Sequence, residues 1–255
     1  MKYGITTHSV IPMRIKDCDK SEMINQILFG EHFKILKIKK NWSLVCLSHD
    51  NYEGWICNKQ WSEISEENYF TIQKETPTIT TDLIDIIRKD TTQTIIIGSV
   101  LPSYKSGHAI IGEKMYQFEG LSTQGFSERN KIIENAKIYL NTPYLWGGRT
   151  PFGIDCSGLT QMVYRLNGIS IPRDAYQQAE IGKEINSIKN SNKGDLAFFK
   201  NNLDNKITHV GIILENNQVI HASGKVRIDT LDDKGIFNNH NNKYTHSLEC
   251  IKHIT

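Results

Sequence analysis

The chain has 255 residues, enough for two or three small domains, with 38% hydrophobic and 9% aromatic residues to fill packed cores. A formal net charge of +2 excludes a nucleic acid or other polyanion as the expected partner, and the local run Lys37, Lys39, Lys40 reads as a solvated surface strand. Cys18, Cys46, Cys57, Cys156 and Cys250 are odd in number and irregular in spacing, so neither a disulfide framework nor a zinc knuckle is indicated, and a reducing compartment fits.

The N-terminal segment Met1 to Pro12 lacks a continuous apolar core and a cleavage site, and no segment approaches the roughly 20 apolar residues of a membrane span. No membrane association is expected. The location is cytoplasmic if this is the whole gene product, and periplasmic or extracellular if a signal peptide has been removed.

Residues 1–63 read as a small antiparallel β-module. Gly30 to Ile38 and Trp42 to Leu47 alternate in β-prone residues, and Asn51-Tyr-Glu-Gly-Trp-Ile56 is a turn running into another strand. Pro12-Met-Arg, Gly30-Glu31, Trp42 and Tyr52-Glu-Gly-Trp55 resemble a bacterial SH3-like domain. In residues 64–124, Thr94 to Gly98 reads as a buried strand and Gly112 to Phe118 as an exposed one, whereas Asp82 to Arg88 suits a short helix or a strand. A second SH3-like or β-rich linking module fits that length.

From Ser127 the period becomes helical. Ile132, Ile133, Ala136 and Leu140 share a face, with Ser127 as candidate N-cap and Asn141-Thr-Pro143 as the stop. A glycine-rich stretch then leads to Asp155-Cys156-Ser157, followed by a helix to about Leu166 that Asn167-Gly168 terminates. Asp195 to Phe199, His209 to Leu214 and Gln218 to Ala222 read as strands, and Asn238 to Asn242 as an Asn-rich loop. Helices followed by an antiparallel sheet make residues 125–255 an α+β domain.

Cys156 is the expected nucleophile. A cysteine in the first turn of a helix meets unpaired backbone N–H groups and the positive end of the helix dipole, which favour thiolate. If Asn216-Asn217 is the turn, Glu215 pairs with Gln218, and His209 and His221 come within about one residue of register on one face. His209 is then the base and His221 the residue that fixes its tautomer. The other histidines, His246 among them, read as surface or core residues.

Tyr144-x-Trp-Gly-Gly148, Gly153-Ile-Asp-Cys-Ser-Gly158, Gly194-Asp-Leu-Ala-Phe-Phe199, Thr208-His-Val-Gly211 and Ile220-His-Ala-Ser223 resemble the NlpC/P60 family of papain-like peptidases. With SH3-like segments ahead of them, they are similar to the γ-D-glutamyl-L-diamino acid endopeptidases of the dipeptidyl-peptidase VI type. The resemblance implies an α+β papain-like catalytic domain behind one or two SH3-like β-barrels. It also implies hydrolysis of the γ-D-Glu–diamino acid bond in peptidoglycan stem peptides with a free N-terminal L-Ala.

On that resemblance the Cys156 N–H and the Tyr144 hydroxyl would serve the oxyanion. Asp155 would face the substrate's amine rather than merely oppose the thiolate, and Ser157, Trp146 and Arg173 would join the substrate-binding set. Asp174 reads either as an ordinary N-cap or as a contact to that amine. Tyr52 reads either as a turn residue or as the cap of the amine subsite. No metal or other cofactor is implied, and a monomer acting on L-Ala-γ-D-Glu-diamino acid peptides is expected. A non-catalytic wall-peptide binder has no need of Cys156, His209 and His221 together. An amidase or acyltransferase on the same fold is the remaining alternative.

Overall fold

The computed structural model describes residues 1–201 and 205–254. Alternation in the N-terminal segment becomes paired antiparallel strands, His32–Ile38 against Trp42–Leu47 and the latter against Glu53–Cys57, with Phe33 opposite Leu47 and Ile35 opposite Val45. Lys2–Ile5, Val10–Arg14, Met23–Leu28 and Ser62–Ile64 complete a seven-stranded sheet. Its inward residues, Ile11, Met13, Ile27, Phe33, Ile35, Val45, Leu47 and Ile56, form one apolar core.

A helix that periodicity does not announce follows at Glu66–Lys74. It is nine residues long, Ser65 caps it by accepting from Asn68 N–H at 3.1 Å, and it buries only Tyr69 and Ile72. Asp82 to Arg88 takes its strand alternative, as Ile84–Arg88. The strand Lys114–Phe118 differs from the exposed one expected. Tyr116 and Phe118 are buried and their neighbours exposed, so the strand lays one face on a core. That core unites Ile87, Ile95, Leu101, Ala109 and Ile111 with Ile5 and with Phe29, in the turn after the strand Met23–Leu28, so the two β-modules share apolar packing. The backbones nearly touch there: Val100 N–H donates to Phe29 O at 2.8 Å, and a Cβ on Gly30 would lie 2.1 Å from Val100 O.

The chain divides into two compact units, Met1–Gly125 with Trp146–Pro151, and Phe126–Leu145 with Phe152–Thr255. The segment Trp146–Pro151 thus belongs with the first unit. Arg149 carries it there. The guanidinium is fully buried, pairs with Glu31 at 3.0 and 3.1 Å, and donates to Gln26 O at 2.8 Å. The Trp146 indole N–H reaches Glu22 at 2.7 Å.

In the second unit the first helix is Asn130–Ile138, burying Ile132 and Ala136. Arg129, not Ser127, holds its N-cap position, because the Ser127 N–H is drawn to Asn167 O at 3.2 Å, ahead of the helix. The second helix is Cys156–Leu166, and it ends at Asn167 and at Gly168 with φ +77°. Six antiparallel strands follow: Leu196–Lys200, Ile207–Ile213, Gln218–Ser223, Lys225–Asp232, Gly235–Asn238 and Lys243–His253. The last pairs with both the first and the fifth, which closes them into a barrel, and Lys183–Ile185 adds an edge strand outside it.

Period-2 alternation divides these strands into an inside and an outside. Inside lie Ala197, Phe199, Ile213, Val219, Leu231, Ile236 and Ile251. The Cys156–Leu166 helix packs outside, on Ile207–Ile213 and Gln218–Ser223.

Candidate active site

The turn between the two histidine strands decides the site. Leu214 N–H donates to Gln218 O at 2.8 Å, so three residues rather than two make the loop, with Asn216 and Asn217 both left-handed at φ +58° and +55°. The pairing is Ile213 with Val219 and Gly211 with His221, one residue off the expected register. That step matters, because a slip of one residue sends a side chain to the opposite face of a strand. With Glu215 opposite Gln218, His209 would stand opposite Gly224, an odd number of residues from His221, so the two-residue turn would set the two rings on opposite faces rather than on one. In the observed register His209 and His221 are diagonal neighbours, both pointing into the barrel. Gly211, between them, leaves the room: a Cβ there would lie 2.6 Å from Val219 Cγ2 and 3.1 Å from His221 Cβ.

His209 Nε2 faces His221 Nδ1 at 2.8 Å, and His221 Nε2 faces Asp229 Oδ2 at 3.0 Å. A carboxylate only accepts, so His221 Nε2 carries the hydrogen of that contact. With one proton on each ring, His221 Nδ1 accepts from His209 Nε2–H, and His209 Nδ1 is left as an acceptor. Arg227 donates to Asp229 at 2.9 Å and completes the chain. Burial opposes ionisation of Asp229, but the bonds from His221 and Arg227 outweigh it and hold the carboxyl below its usual range.

His246 also belongs here, although its sequence neighbourhood advertised nothing. Its ring stacks on His209 with centroids 4.1 Å apart and planes 23° apart. Burial, then the adjacent His246 and His221, pushes His209 well below the ordinary histidine value. Burial and His221 bring His246 down to about 4. The available signal was strand parity: His246 stands two residues from Leu248, which packs against the barrel core, and Asp229 two from Leu231.

Cys156 opens its helix and is buried. The ladder between the histidine strands stops at Gly211–His221, and the next N–H, that of Val210, donates to the Cys156 sulfur. The field of the helix start does not win here. Burial, reinforced by the Asp155 carboxylate, pushes the thiol up to about 12 against the pull of Val210 N–H and Arg173. Burial thus favours the thiol over the expected thiolate at Cys156, as it favours the neutral imidazole at His209. Tyr144 stands close enough to Cys156 and Asp155 that, after burial, their charges raise its phenol further.

Asp155 is the N-cap of the cysteine helix. Its carboxylate accepts from Gly158 N–H at 2.6 Å, Ser157 Oγ at 3.3 Å, and Arg173 Nη1 and Nη2 at 3.0 and 2.6 Å. Arg173 also donates to Ser157 Oγ at 2.9 Å, so Asp155, Ser157 and Arg173 form one buried cluster that any substrate amine would have to join. Gln178 fastens it by donating to Ser157 O and Pro172 O at 3.1 and 2.8 Å. Asp174 is half-buried at the N-cap of the short helix Ala175–Gln178, its N–H donating to Gln177 Oε1 at 3.3 Å.

The structure thus brings Cys156, His209, His221, Tyr144, Asp155, Ser157, Arg173 and Asp174 into the second unit. Tyr52, packed on the core of the seven-stranded sheet, and the exposed Trp146 lie in the first unit. Among the described residues, His209, His221 and His246 form the group whose ligand atoms come within 4.8 Å of one another, and no helix is long and apolar enough to cross a membrane.

A model of the NlpC/P60 family matches residues 141–245, and one of the bacterial dipeptidyl-peptidase SH3 domain matches residues 16–60. The dipeptidyl-peptidase 6 of Lysinibacillus sphaericus is 29% identical over 245 residues, covering 84% of this chain and 86% of that protein. A γ-D-glutamyl-L-lysine dipeptidyl-peptidase of Bacillus subtilis is 40% identical over 92 residues, which cover 36% of this chain and 31% of its own length. A crystal structure of an NlpC/P60 family protein from Bacillus cereus superposes with a TM-score of 0.83 at 18% identity, covering 98% of this chain and 99% of that one. At that identity the likeness speaks for the fold alone.

Proposed function

Because the chain carries an NlpC/P60 cysteine-peptidase domain behind a bacterial dipeptidyl-peptidase SH3 domain, we propose that it hydrolyses peptidoglycan peptides at the bond between γ-D-glutamate and the diamino acid, with Cys156 as nucleophile. The observation that carries the reading is the buried relay His209–His221–Asp229, whose two histidines stand on strands packed against the helix that Cys156 opens. The names of the relatives supply the substrate class.

In this mechanism the Cys156 S–H proton passes to His209 Nδ1 as sulfur bonds to the glutamate γ-carbonyl carbon. The resting pair is neutral, so proton transfer accompanies attack rather than preceding it. The carbonyl oxygen becomes an oxyanion, which the Cys156 N–H and the Tyr144 hydroxyl stabilise. His209 then gives its proton to the leaving nitrogen of the diamino acid, and the C–N bond breaks to leave an L-Ala-γ-D-Glu thioester. A water molecule, deprotonated by His209, attacks that thioester and regenerates the thiol. His221 and Asp229 keep the accepting nitrogen on the Cys156 side and steady the imidazolium that forms. The half-buried Asp174 carboxylate suits the substrate's L-Ala amine, while Asp155 and Arg173 hold Ser157 and the helix start in place beside it.

The test is incubation with L-Ala-γ-D-Glu-L-Lys and with its meso-diaminopimelate counterpart. Release of L-Ala-D-Glu by the wild type and none by Cys156→Ala is expected. Absence of that product from both peptides sinks the bond assignment, and full activity of Cys156→Ala sinks the nucleophile. N-acetylating the alanine should abolish cleavage, and undiminished cleavage would remove Asp174 from the amine subsite.

A further inference from the structure

We propose that His209, His221 and His246 form a binding site for a divalent transition-metal ion, zinc above all, and that filling it switches the peptidase off. The second half rests on the reading of His209 as the base. The first half rests on geometry alone.

Three imidazoles from three strands converge at one end of the barrel interior, with a ligand nitrogen from each within 4.8 Å of the others. Tetrahedral zinc binds histidine nitrogens at about 2.0–2.1 Å, which sets the nitrogens roughly 3.3–3.4 Å apart. His209 Nε2 and His221 Nδ1, at 2.8 Å, must part slightly, while His246 must move closer. His246 is half-buried and lies over His209 rather than wedged beneath it, so a turn about its ring torsion, which has broad wells, supplies that movement.

The outer shell is already in place. His221 Nε2 faces Asp229 Oδ2 at 3.0 Å, the carboxylate–histidine arrangement that orients a ring so its other nitrogen can ligate. Arg227 anchors that carboxylate in turn. Three neutral nitrogen ligands with a fourth position for water suit zinc, and suit magnesium or calcium poorly because those prefer oxygen.

Metal binding has a specific chemical consequence. In the metal-free relay the His209 hydrogen sits on Nε2 and is donated to His221. A metal on Nε2 takes that lone pair, and the hydrogen moves to Nδ1. The proton count is unchanged, but the nitrogen that would accept from the Cys156 thiol now carries a hydrogen, and the bond between base and orienting residue is gone. The peptidase would lose its base without losing its fold.

Binding is read on the Cys156→Ala protein, in which the thiol cannot ligate, by titration with cobalt(II) as the spectroscopic probe and with zinc by calorimetry. One equivalent, with the intense visible absorption of a four-coordinate cobalt site, is expected. The same protein carrying His246→Phe, which keeps a ring stacked on His209, should bind at least tenfold more weakly. No saturable binding, or equal binding with and without His246, overturns the site.

Inhibition is read on the wild type and on His246→Phe with the peptide substrate. Zinc should inhibit the first at concentrations that saturate the Cys156→Ala protein, and the second only at tenfold or higher concentration. Binding without inhibition would leave the metal site standing and remove His209 from the base role.

Discussion

Each unit buries one arginine against one carboxylate, and the two pairs do different work. Arg149 and Glu31 have side chains 0% and 1% exposed; Arg173 and Asp155 have 1% and 7%. Both contacts are two-pronged, the geometry in which a guanidinium fits a carboxylate best. Arg149 comes 118 residues after its partner and ties the Trp146–Pro151 segment to the N-terminal β-module, where Glu31 also accepts from Leu28 N–H. Arg173 comes only 18 residues after Asp155, and that pair sits on the helix cap that precedes the cysteine. A buried ion pair adds little net stability compared with an apolar substitute, yet breaking it is costly. The first pair therefore fixes where a distant segment goes. The second also sets the electrostatic field at a thiol.

The largest effects should come from breaking each pair on one side. Arg149→Met and Arg173→Met each strand a buried carboxylate, which costs about 3–5 kcal/mol. All four tryptophans, Trp42, Trp55, Trp61 and Trp146, lie in the first unit, so tryptophan fluorescence follows that unit during urea unfolding. Arg149→Met should lower the fluorescence midpoint. Arg173→Met should leave it in place while lowering the midpoint seen by circular dichroism and abolishing peptide cleavage. A fluorescence midpoint that falls equally in both variants would show that the pairs are not separate devices. Replacing both partners sharpens the contrast. Glu31→Leu with Arg149→Met should recover most of the lost stability, whereas Asp155→Leu with Arg173→Met should still lack the helix cap, about 0.5–2 kcal/mol.

Smaller effects concern the relay. Asp229→Asn removes a charge-assisted hydrogen bond to His221, worth about 1.5–3 kcal/mol, so kcat should fall roughly ten- to a hundredfold with KM little changed. A change confined to KM would place Asp229 in substrate binding instead. The pH profile tests the base directly. His209 must be unprotonated to accept from the thiol, and burial with its histidine neighbours keeps its folded-state pKa well below 6.5. Cleavage should therefore hold steady as pH falls from 8 through 6.5 and decline only at lower pH. A half-maximal rate near pH 6.5 would mean that His209 titrates like an exposed histidine.

Local signals made much of this legible in the sequence. The strand Trp42–Leu47 matches its periodicity because alternate residues are buried, and the helix Cys156–Leu166 was legible from its start and stop signals at Asp155 and Asn167-Gly168, although it is buried nearly all round. Cys156, His209 and His221 stood out through motif and spacing. What stayed hidden depends on closure and register. His246 looks ordinary until the last strand closes the barrel and brings it over His209. The three-residue turn could not be told from a two-residue one, because Asn216 and Asn217 favour left-handed backbone in either. The pairing of Asp155 with Arg173 was not legible either, because it depends on the chain bringing Pro172 and Gln178 against the helix start. The thiol's state was misjudged for a related reason: a helix start is visible in sequence, but burial of the sulfur is not.

That last point yields the subtlest test, since it concerns charge without loss of shape. In the wild type, burial and then the Asp155 carboxylate raise the Cys156 thiol, while Arg173 pulls it down. Asp155→Asn keeps an oxygen for the Gly158 N–H, and asparagine caps helices about as well as aspartate. It removes the charge that raises the thiol and leaves the one that lowers it, so the thiol pKa should fall, and each unit of fall is about tenfold in thiolate at a fixed pH below it. Alkylation of Cys156 by iodoacetamide at pH 8, followed by peptide mass spectrometry to separate it from the exposed Cys18, should quicken in this variant. Glu31→Gln, the matching change in the other pair, should leave that rate alone. Equal or slower alkylation in Asp155→Asn would mean that burial alone holds the proton on sulfur, and that the two arginine pairs differ in position but not in what they do to the chemistry.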